Sequence, residues 1–261
     1  MEADIFRKRR TGTLIFFGLI ALLAAGSIII TQFNIQKGFT SFFKAFKWGA
    51  SNFYPDAKSM SNLPDIIIKL KDTVLISIAS TTVAAVFSLL LAFMGSRATR
   101  INNLFTIIAR GIASLFRNIP LVAWAMVLML AFSQSSLTGF LALFLGSIGF
   151  LTRSFMEAID EVSDSTIEAL RATGASDFHI VFQAILPTSL PQIVSWLLFM
   201  IETNIRDATL VGLLTGTGIG FAFDVYYKAF NYHAASLVVV VTVITVIITE
   251  RISNFVRGVI L

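Results

Sequence analysis

Apolar residues in this chain come in blocks of bilayer length, and most of the charge falls between them. A block of about 20 apolar residues crosses the ~30 Å hydrocarbon core as a helix rising 1.5 Å per residue. The first block runs from Thr13 to Thr31, after "MEADIFRKRRTG". It is longer than the roughly 7–15-residue core of a cleaved signal peptide, and no small-x-small cleavage site follows. It therefore reads as an uncleaved first span, with Arg7, Lys8, Arg9 and Arg10 in the cytoplasm.

Five further spans are predicted. The second covers Asp72 to Gly95 and is closed by Arg97 and Arg100. The apolar stretch Leu104–Phe116, interrupted by Arg110, reads as the lead-in of a third span that continues through "RNIPLVAWAMVLMLAF" to Phe132. The fourth covers Leu137 to Thr152 and ends at Arg153. The fifth covers Ser189 to Thr203. The sixth covers Ala234 to Thr249, before Arg251 and Arg257. Arg at each predicted inner end places both termini and the 157–187 stretch in the cytoplasm. Between the first two spans, Gln32–Lys71 reads as an amphipathic, polar extramembrane loop with Pro55 and Pro64. Its lysines, Lys37, Lys44, Lys47, Lys58, Lys69 and Lys71, run against the positive-inside tendency. The expected organisation is a first span and loop over 1–71 and a transmembrane core over 72–261. Trp48, Tyr226, Tyr227 and Tyr232 suit an interfacial aromatic belt.

Composition agrees with this reading. Of 261 residues, 56% are apolar and 13% are charged, about half the charged share of a soluble domain. The net charge of +5 reflects Lys and Arg between the apolar blocks, so it argues for orientation in a membrane, not for nucleic-acid binding. There is no cysteine, and the two histidines, His179 and His233, lie far apart, so no metal-ligand spacing arises.

One stretch breaks the oily pattern: "EALRATGASDFHIVFQAILP", Glu168 to Pro187. "STIE" at Ser165–Glu168 forms a capping box that starts a helix, and Gly174 is placed to end it. A second helix starts at Ser176 or Asp177. Phe178, Val181, Phe182, Ile185 and Leu186 fall on one helical face. Pro187 and Pro191 are expected to break the chain before the fifth span. Such a hairpin could rest on lipid headgroups or dock a soluble partner.

The same residues resemble the EAA motif of ABC-importer permeases: Glu-Ala-Ala, three residues, Gly, nine residues, Ile-x-Leu-Pro. Glu168, Ala169, Gly174, Leu186 and Pro187 match in register. Leu170 replaces the second Ala, and Ala184 stands where Ile is expected, with Ile185 next. "SLFRNIPLVAW", "GSIGFLTRSFMEAIDEV" and "ETNIRDATLVGLLTGTGIG" extend the resemblance to phosphonate-type permeases, from about Asp72 to the C-terminus. Methionine-type permeases share the motif more loosely. The resemblance implies an all-α type I ABC importer permease fold with a cytoplasmic coupling hairpin, in a bacterial cytoplasmic membrane. It also implies ATPase subunits in two copies, a second permease subunit, identical or not, and an extracytoplasmic substrate-binding protein. The cargo it implies is a phosphonate or related phosphorus oxyanion. The alternatives are methionine or another small solute on the same machine, or an ion-coupled secondary transporter, which would carry inverted repeats and intramembrane carboxylates.

No Gly-x4-Gly-Lys-Ser/Thr is present, so this chain is not expected to bind or hydrolyse ATP itself; the resemblance implies that ATP and Mg bind the partner ATPase. No nucleophile–base pair stands out, and the chain is not expected to be an enzyme. Glu157, Asp160 and Glu161 read as a solvated helix start. Near the end of the fifth span, Glu202, Asn204, Arg206 and Asp207 have two readings. Arg206 meets an anionic substrate with its planar fork, or it pairs with Glu202 at i, i+4 or with Asp207. Arg117 and Asn118, with Pro120, either line a kinked path or place a snorkelling Arg at the interface. Gly216, Gly218 and Gly220, with Gly212, form either an outer gate loop or a tight re-entrant turn.

Overall fold

The structure, a computed structural model, describes residues 2–99, 102–162 and 164–260, the side chains of 2–8 and 164–167 excepted. Arg7, Lys8, Arg100 and the Ser165 hydroxyl of the expected capping box thus lie outside the described residues and side chains. The chain divides by internal contacts into residues 1–54 and 55–261.

The first unit holds α1 (Glu2–Ile30) and α2 (Ile35–Asn52). α2 starts where the Asn34 side chain accepts the Lys37 N–H at 2.9 Å. The loop expected over 32–71 is therefore largely helical. Hydropathy hides α2 because its apolar residues occupy one face only. Phe39, Phe42, Phe43 and Phe46 share that face, with Phe39 and Phe43 edge to face at 5.3 Å. Lys37 and Lys44 fall opposite, and Lys47 at the flank. That division suits a helix lying in a membrane interface.

The second unit begins with a 3-10 turn, Ser59–Asn62, that leads into α3 (Leu63–Gly95). α3 starts well before the expected Asp72. Pro64 sits in its first turn, where a missing N–H costs nothing, and Asp65 complements the helix N-terminus. The unit continues through α4 (Asn103–Asn118), α5 (Leu121–Phe132), α6 (Ser136–Asp160), α7 (Asp164–Ala172), α8 (Asp177–Ile180), α9 (Leu186–Thr215), α10 (Gly218–Lys228) and α11 (Tyr232–Ile260).

Five helical stretches are long and apolar enough to cross a membrane: 9–30, 59–95, 136–160, 177–215 and 232–260. The third expected span differs. α4 and α5 meet at 92°, so residues 104–132 do not form one straight rod. Pro120 drives Ile119 into an extended conformation (φ −93°, ψ 120°), which ends α4. At 12 residues, α5 is too short to cross alone. Counted as one broken span, the pair brings the total to six.

The fifth span also differs from expectation. The helix does not break at Pro187. A π turn at Val181–Ile185 joins α8 to α9, and the Leu186 N–H donates to the Val181 carbonyl five residues back. Pro187 follows in the first turn of α9, and Pro191 is carried inside it. α9 then runs on to Thr215, past the expected end at Thr203.

α3, α6 and α9 form the centre of this unit. Small residues let their backbones approach: Ala84, Ser88 and Ala92 on α3 and Ser147 and Gly149 on α6 are all buried. Leu151, Phe155, Met156 and Ile159 of α6 pack with Ile185 and Ile193 to form the main apolar core. A polar tie crosses it. Asn204 Nδ2 donates to Thr81 Oγ1 and Ser147 Oγ, each at 2.7 Å, and Ser77 Oγ donates to the Asn204 carbonyl at 3.1 Å.

Candidate functional site

The hairpin between α6 and α9 is built from α7 and α8. Gly174 turns the chain with φ +82°, and the Ala175 N–H donates back to the Leu170 carbonyl at 3.2 Å. Ser176 caps α8, its hydroxyl 2.6 Å from His179 Nδ1. Glu168, Ala169 and the tip from Arg171 to Gly174 are exposed. The apolar face read from the sequence splits in two. Ile185 joins Ile180 in the core, while Phe178 and Phe182 stay exposed and stack at 4.5 Å between ring centres. Leu186 is half-buried and Pro187 exposed at the start of α9. The π turn makes α8 continuous with α9, so Phe178 and Phe182 sit on the same helical stretch that carries Ile185 into the core.

Asp160 anchors the base of this hairpin. Its Oδ1 accepts from Ser96 Oγ at 2.5 Å, from the Arg97 N–H at 2.7 Å and from the Ala98 N–H at 3.4 Å. Ala98 and Thr99 in turn line a small cavity with Arg171, Asp177, Ile180, Val181 and Ile185. The acidic cluster read as a helix start therefore lies at a helix end, because α6 continues eight residues past Thr152.

Arg117 and Asn118 line a cavity of about 450 Å³ between α4 and α6. Arg110, Ala113 and Ser114 join them from α4, and Arg153, Met156 and Glu157 from α6. Arg110 is legible in the sequence only as an interruption of an apolar stretch, and Arg153 only as the end of a span. Their spacing carries the missed signal: 110, 113, 114, 117 and 118 repeat at i, i+3, i+4, i+7 and i+8, one stripe of α4. Gly149 sets the approach of the two helices. A Cβ there would collide with the backbone of Arg117 and lie 2.7 Å from the Phe116 carbonyl carbon.

The α9 residues fall elsewhere. Glu202 is buried and bound on both sides, by Arg206 Nη2 at 2.5 Å and by Arg257 Nη2 of α11 at 3.4 Å. Arg206 and Asp207 are partly exposed, whereas Asn204 is 1% exposed and spends both amide protons inside the core. Arg117 and Asn118 thus share a cavity, and the four α9 residues do not join it. The Arg257 partnership spans 55 residues and has no local sequence signal.

Gly216, Gly218 and Gly220 form a tight corner, not an open loop. Gly216 ends α9 in the left-handed region (φ 69°), and the Thr217 N–H donates to the Gly212 carbonyl at 3.0 Å. Gly218 (φ 61°) opens α10 against Thr73, whose Oγ1 accepts the Ile219 N–H at 2.8 Å. Gly220 packs directly on the α9 backbone, where a Cβ would lie 2.6 Å from the Leu213 nitrogen.

These elements define a polytopic helical membrane protein with an exposed helical hairpin between its fourth and fifth spans. The chain belongs to the family described as binding-protein-dependent transport system inner membrane component, which matches residues 84–259. It is 32% identical over 188 residues to the phosphite transport system permease protein PtxC of Stutzerimonas stutzeri, covering 72% of this chain and 68% of that one. It is 27% identical over 194 residues to the phosphate-import permease protein PhnE of Mycolicibacterium smegmatis, covering 74% of this chain and 36% of that one. Among solved structures, the inward-facing MetNI methionine ABC transporter aligns with a TM-score of 0.67 at 22% identity, over 75% of this chain and 96% of that one. The fold is that of a type I ABC importer permease.

Proposed function

We propose that this chain is the permease subunit of an ABC importer for a phosphorus oxyanion, phosphite or a phosphonate. The observation that carries the coupling role is the exposed Phe178–Phe182 pair on a helix continuous with α9. An exposed aromatic pair on a polar, extramembrane hairpin suits a docking surface for a soluble partner. In this reading the hairpin is cytoplasmic, both termini lie on the same side, and the Phe pair enters a cleft on the ATPase subunit. Glu168, Ala169, Gly174, Leu186 and Pro187 hold the hairpin's shape. Two ATPase subunits bind ATP and Mg, and their closure turns two permease subunits between inward and outward states. A binding protein delivers cargo on the outer side, where the Gly216–Gly220 corner lies. Arg117 and Asn118 face the path. Glu202, Arg206 and Asp207, with Asn204 behind them, stabilise the spans that move. Coupling requires that the cargo bind the two states unequally.

The names of the relatives support the cargo, and so does the basic cavity at Arg117. The test is uptake of labelled phosphite by cells lacking other phosphorus importers and expressing this chain with its ATPase and binding protein. The expected result is saturable, ATPase-dependent uptake that excess methionine leaves unchanged. ATPase-dependent uptake of methionine without phosphite would keep the machine and overturn the cargo. Phosphite uptake without the ATPase would overturn the importer.

A further inference from the structure

We propose that the cavity between α4 and α6 is a binding site for a phosphate-type oxyanion, held by Arg110, Arg117 and Arg153. The proposal rests on the permease reading above and assigns it a place in the chain.

Three guanidinium groups and one carboxylate, Glu157, face this cavity, so its lining carries a surplus of positive charge. The local partners leave most of the donors unused. Arg110 donates Nε to the Gly95 carbonyl at 3.0 Å, and Arg153 donates Nε to Glu157 at 2.6 Å. Both keep their Nη groups. The Arg117 side chain makes no hydrogen bond or ion pair among the described residues. A guanidinium offers paired donors that match two oxygens of a tetrahedral anion.

The backbone fixes this arrangement. Pro120 and the extended Ile119 stop α4 immediately after Asn118, and Gly149 lets Arg117 approach α6 at backbone contact. Asn118 donates Nδ2 to the Ser114 carbonyl at 2.7 Å, which holds the last turn of α4 closed. Arg153 stands seven residues before the end of α6, so the cavity lies about 10 Å from that end, on the hairpin side of the bundle. In the proposed orientation this is the cytoplasmic mouth of the path. Two sources supply the same chemistry there: the transported oxyanion and the phosphate of an anionic lipid headgroup.

The full-length chain in nanodiscs separates them. In discs of phosphatidylcholine alone, binding of radiolabelled inorganic phosphate and phosphite is measured for wild type and for Arg110→Gln, Arg117→Gln and Arg153→Gln. Arg153→Lys keeps the charge without the fork, and Lys228→Gln removes a charge from the exposed pair with Asp224. The expected result is saturable binding weakened roughly 10- to 100-fold by each Gln substitution. Arg153→Lys should fall between, and Lys228→Gln should match wild type. In discs containing phosphatidylglycerol, retention of that lipid through purification is measured for the same variants. Retention that depends on the arginines, with no phosphate or phosphite binding, assigns the site to the headgroup. Phosphate, phosphite and lipid all indifferent to the three arginines would overturn the proposal. Phosphite uptake by the assembled importer keeps the two readings apart. Wild-type uptake that survives Arg117→Gln and Arg153→Gln undiminished removes the transported oxyanion as the occupant and leaves the importer standing. Absence of phosphite uptake in wild type removes the cargo reading, whatever the binding assay gives.

Discussion

Asn204 gives the most discriminating test of the fold. Its two amide protons go to Thr81 Oγ1 and Ser147 Oγ at 2.7 Å, across two helix interfaces. Both hydroxyls have already spent their own protons, Thr81 on the Ser77 carbonyl and Ser147 on the Leu143 carbonyl, each at 2.6 Å. They therefore offer Asn204 only lone pairs. Asn204→Ala deletes two interhelical bonds, each worth about 0.6 kcal/mol in a membrane setting. It also leaves a small cavity worth about 1 kcal/mol. The sum is roughly 2 kcal/mol, or a fall of about 4–8 °C in Tm for a unit of this size. Asn204→Leu fills the space and should cost about half as much. Asn204→Asp turns a carboxylate toward two lone pairs in the membrane interior, at a cost of roughly 3 kcal/mol. The predicted stability order is Asn, Leu, Ala, Asp, read from thermal unfolding of the purified chain in detergent by tryptophan fluorescence. An Asp variant as stable as wild type at neutral pH would refute the assigned donor direction and the tie itself.

Three further expectations follow from local geometry. Gly149→Val should push α4 off α6 and reduce phosphite uptake more than it lowers Tm, because the collision is with the Arg117 backbone beside the cavity. Gly174→Ala puts a side chain at φ +82°, so it should cost roughly 1 kcal/mol locally and raise amide exchange in the hairpin without changing the spans. The Ser59 N–H, donating to Asp56 Oδ1 at 2.7 Å, holds the Asp56 carboxyl below its ordinary value of 3.8. Stability from this contact is present above that value and lost as pH falls through the folded value. Wild type and Asp56→Ala should differ in Tm at neutral pH and converge only once the pH has fallen below the folded value, which lies under 3.8.

Much of this architecture was legible in the order of residues. The blocks near 13–31, 72–95, 137–152 and 234–249 each became part of a long helix, because burial of apolar length in a bilayer demands little else. The hairpin was legible because Gly174 and the Phe178–Ile185 spacing are local signals. Three features were not. Pro120 stops a helix visibly, but hydropathy says nothing of the 92° at which the next one leaves. Pro187 looked like a break because the π turn before it, which frees the position from its usual partner, has no sequence mark. α2 was hidden because a helix with Phe on one face and Lys on the other averages to a polar loop. The site divided in the same way. Arg117 and Asn118 announced themselves, whereas Arg110 and Arg153 gain meaning only when α4 lies on α6. The pairing of Glu202 with Arg257 needs the packing of α11 on α9.

The central claim is that ATP-driven closure reaches the spans through the Phe178–Phe182 pair. It is tested most directly by ATP-driven phosphite uptake into proteoliposomes holding this chain, its ATPase and its binding protein, with Phe178→Asp/Phe182→Asp beside wild type. The account predicts that the double variant keeps its Tm, loses co-purification with the ATPase and loses uptake. Wild-type rates of uptake in the double variant would contradict it.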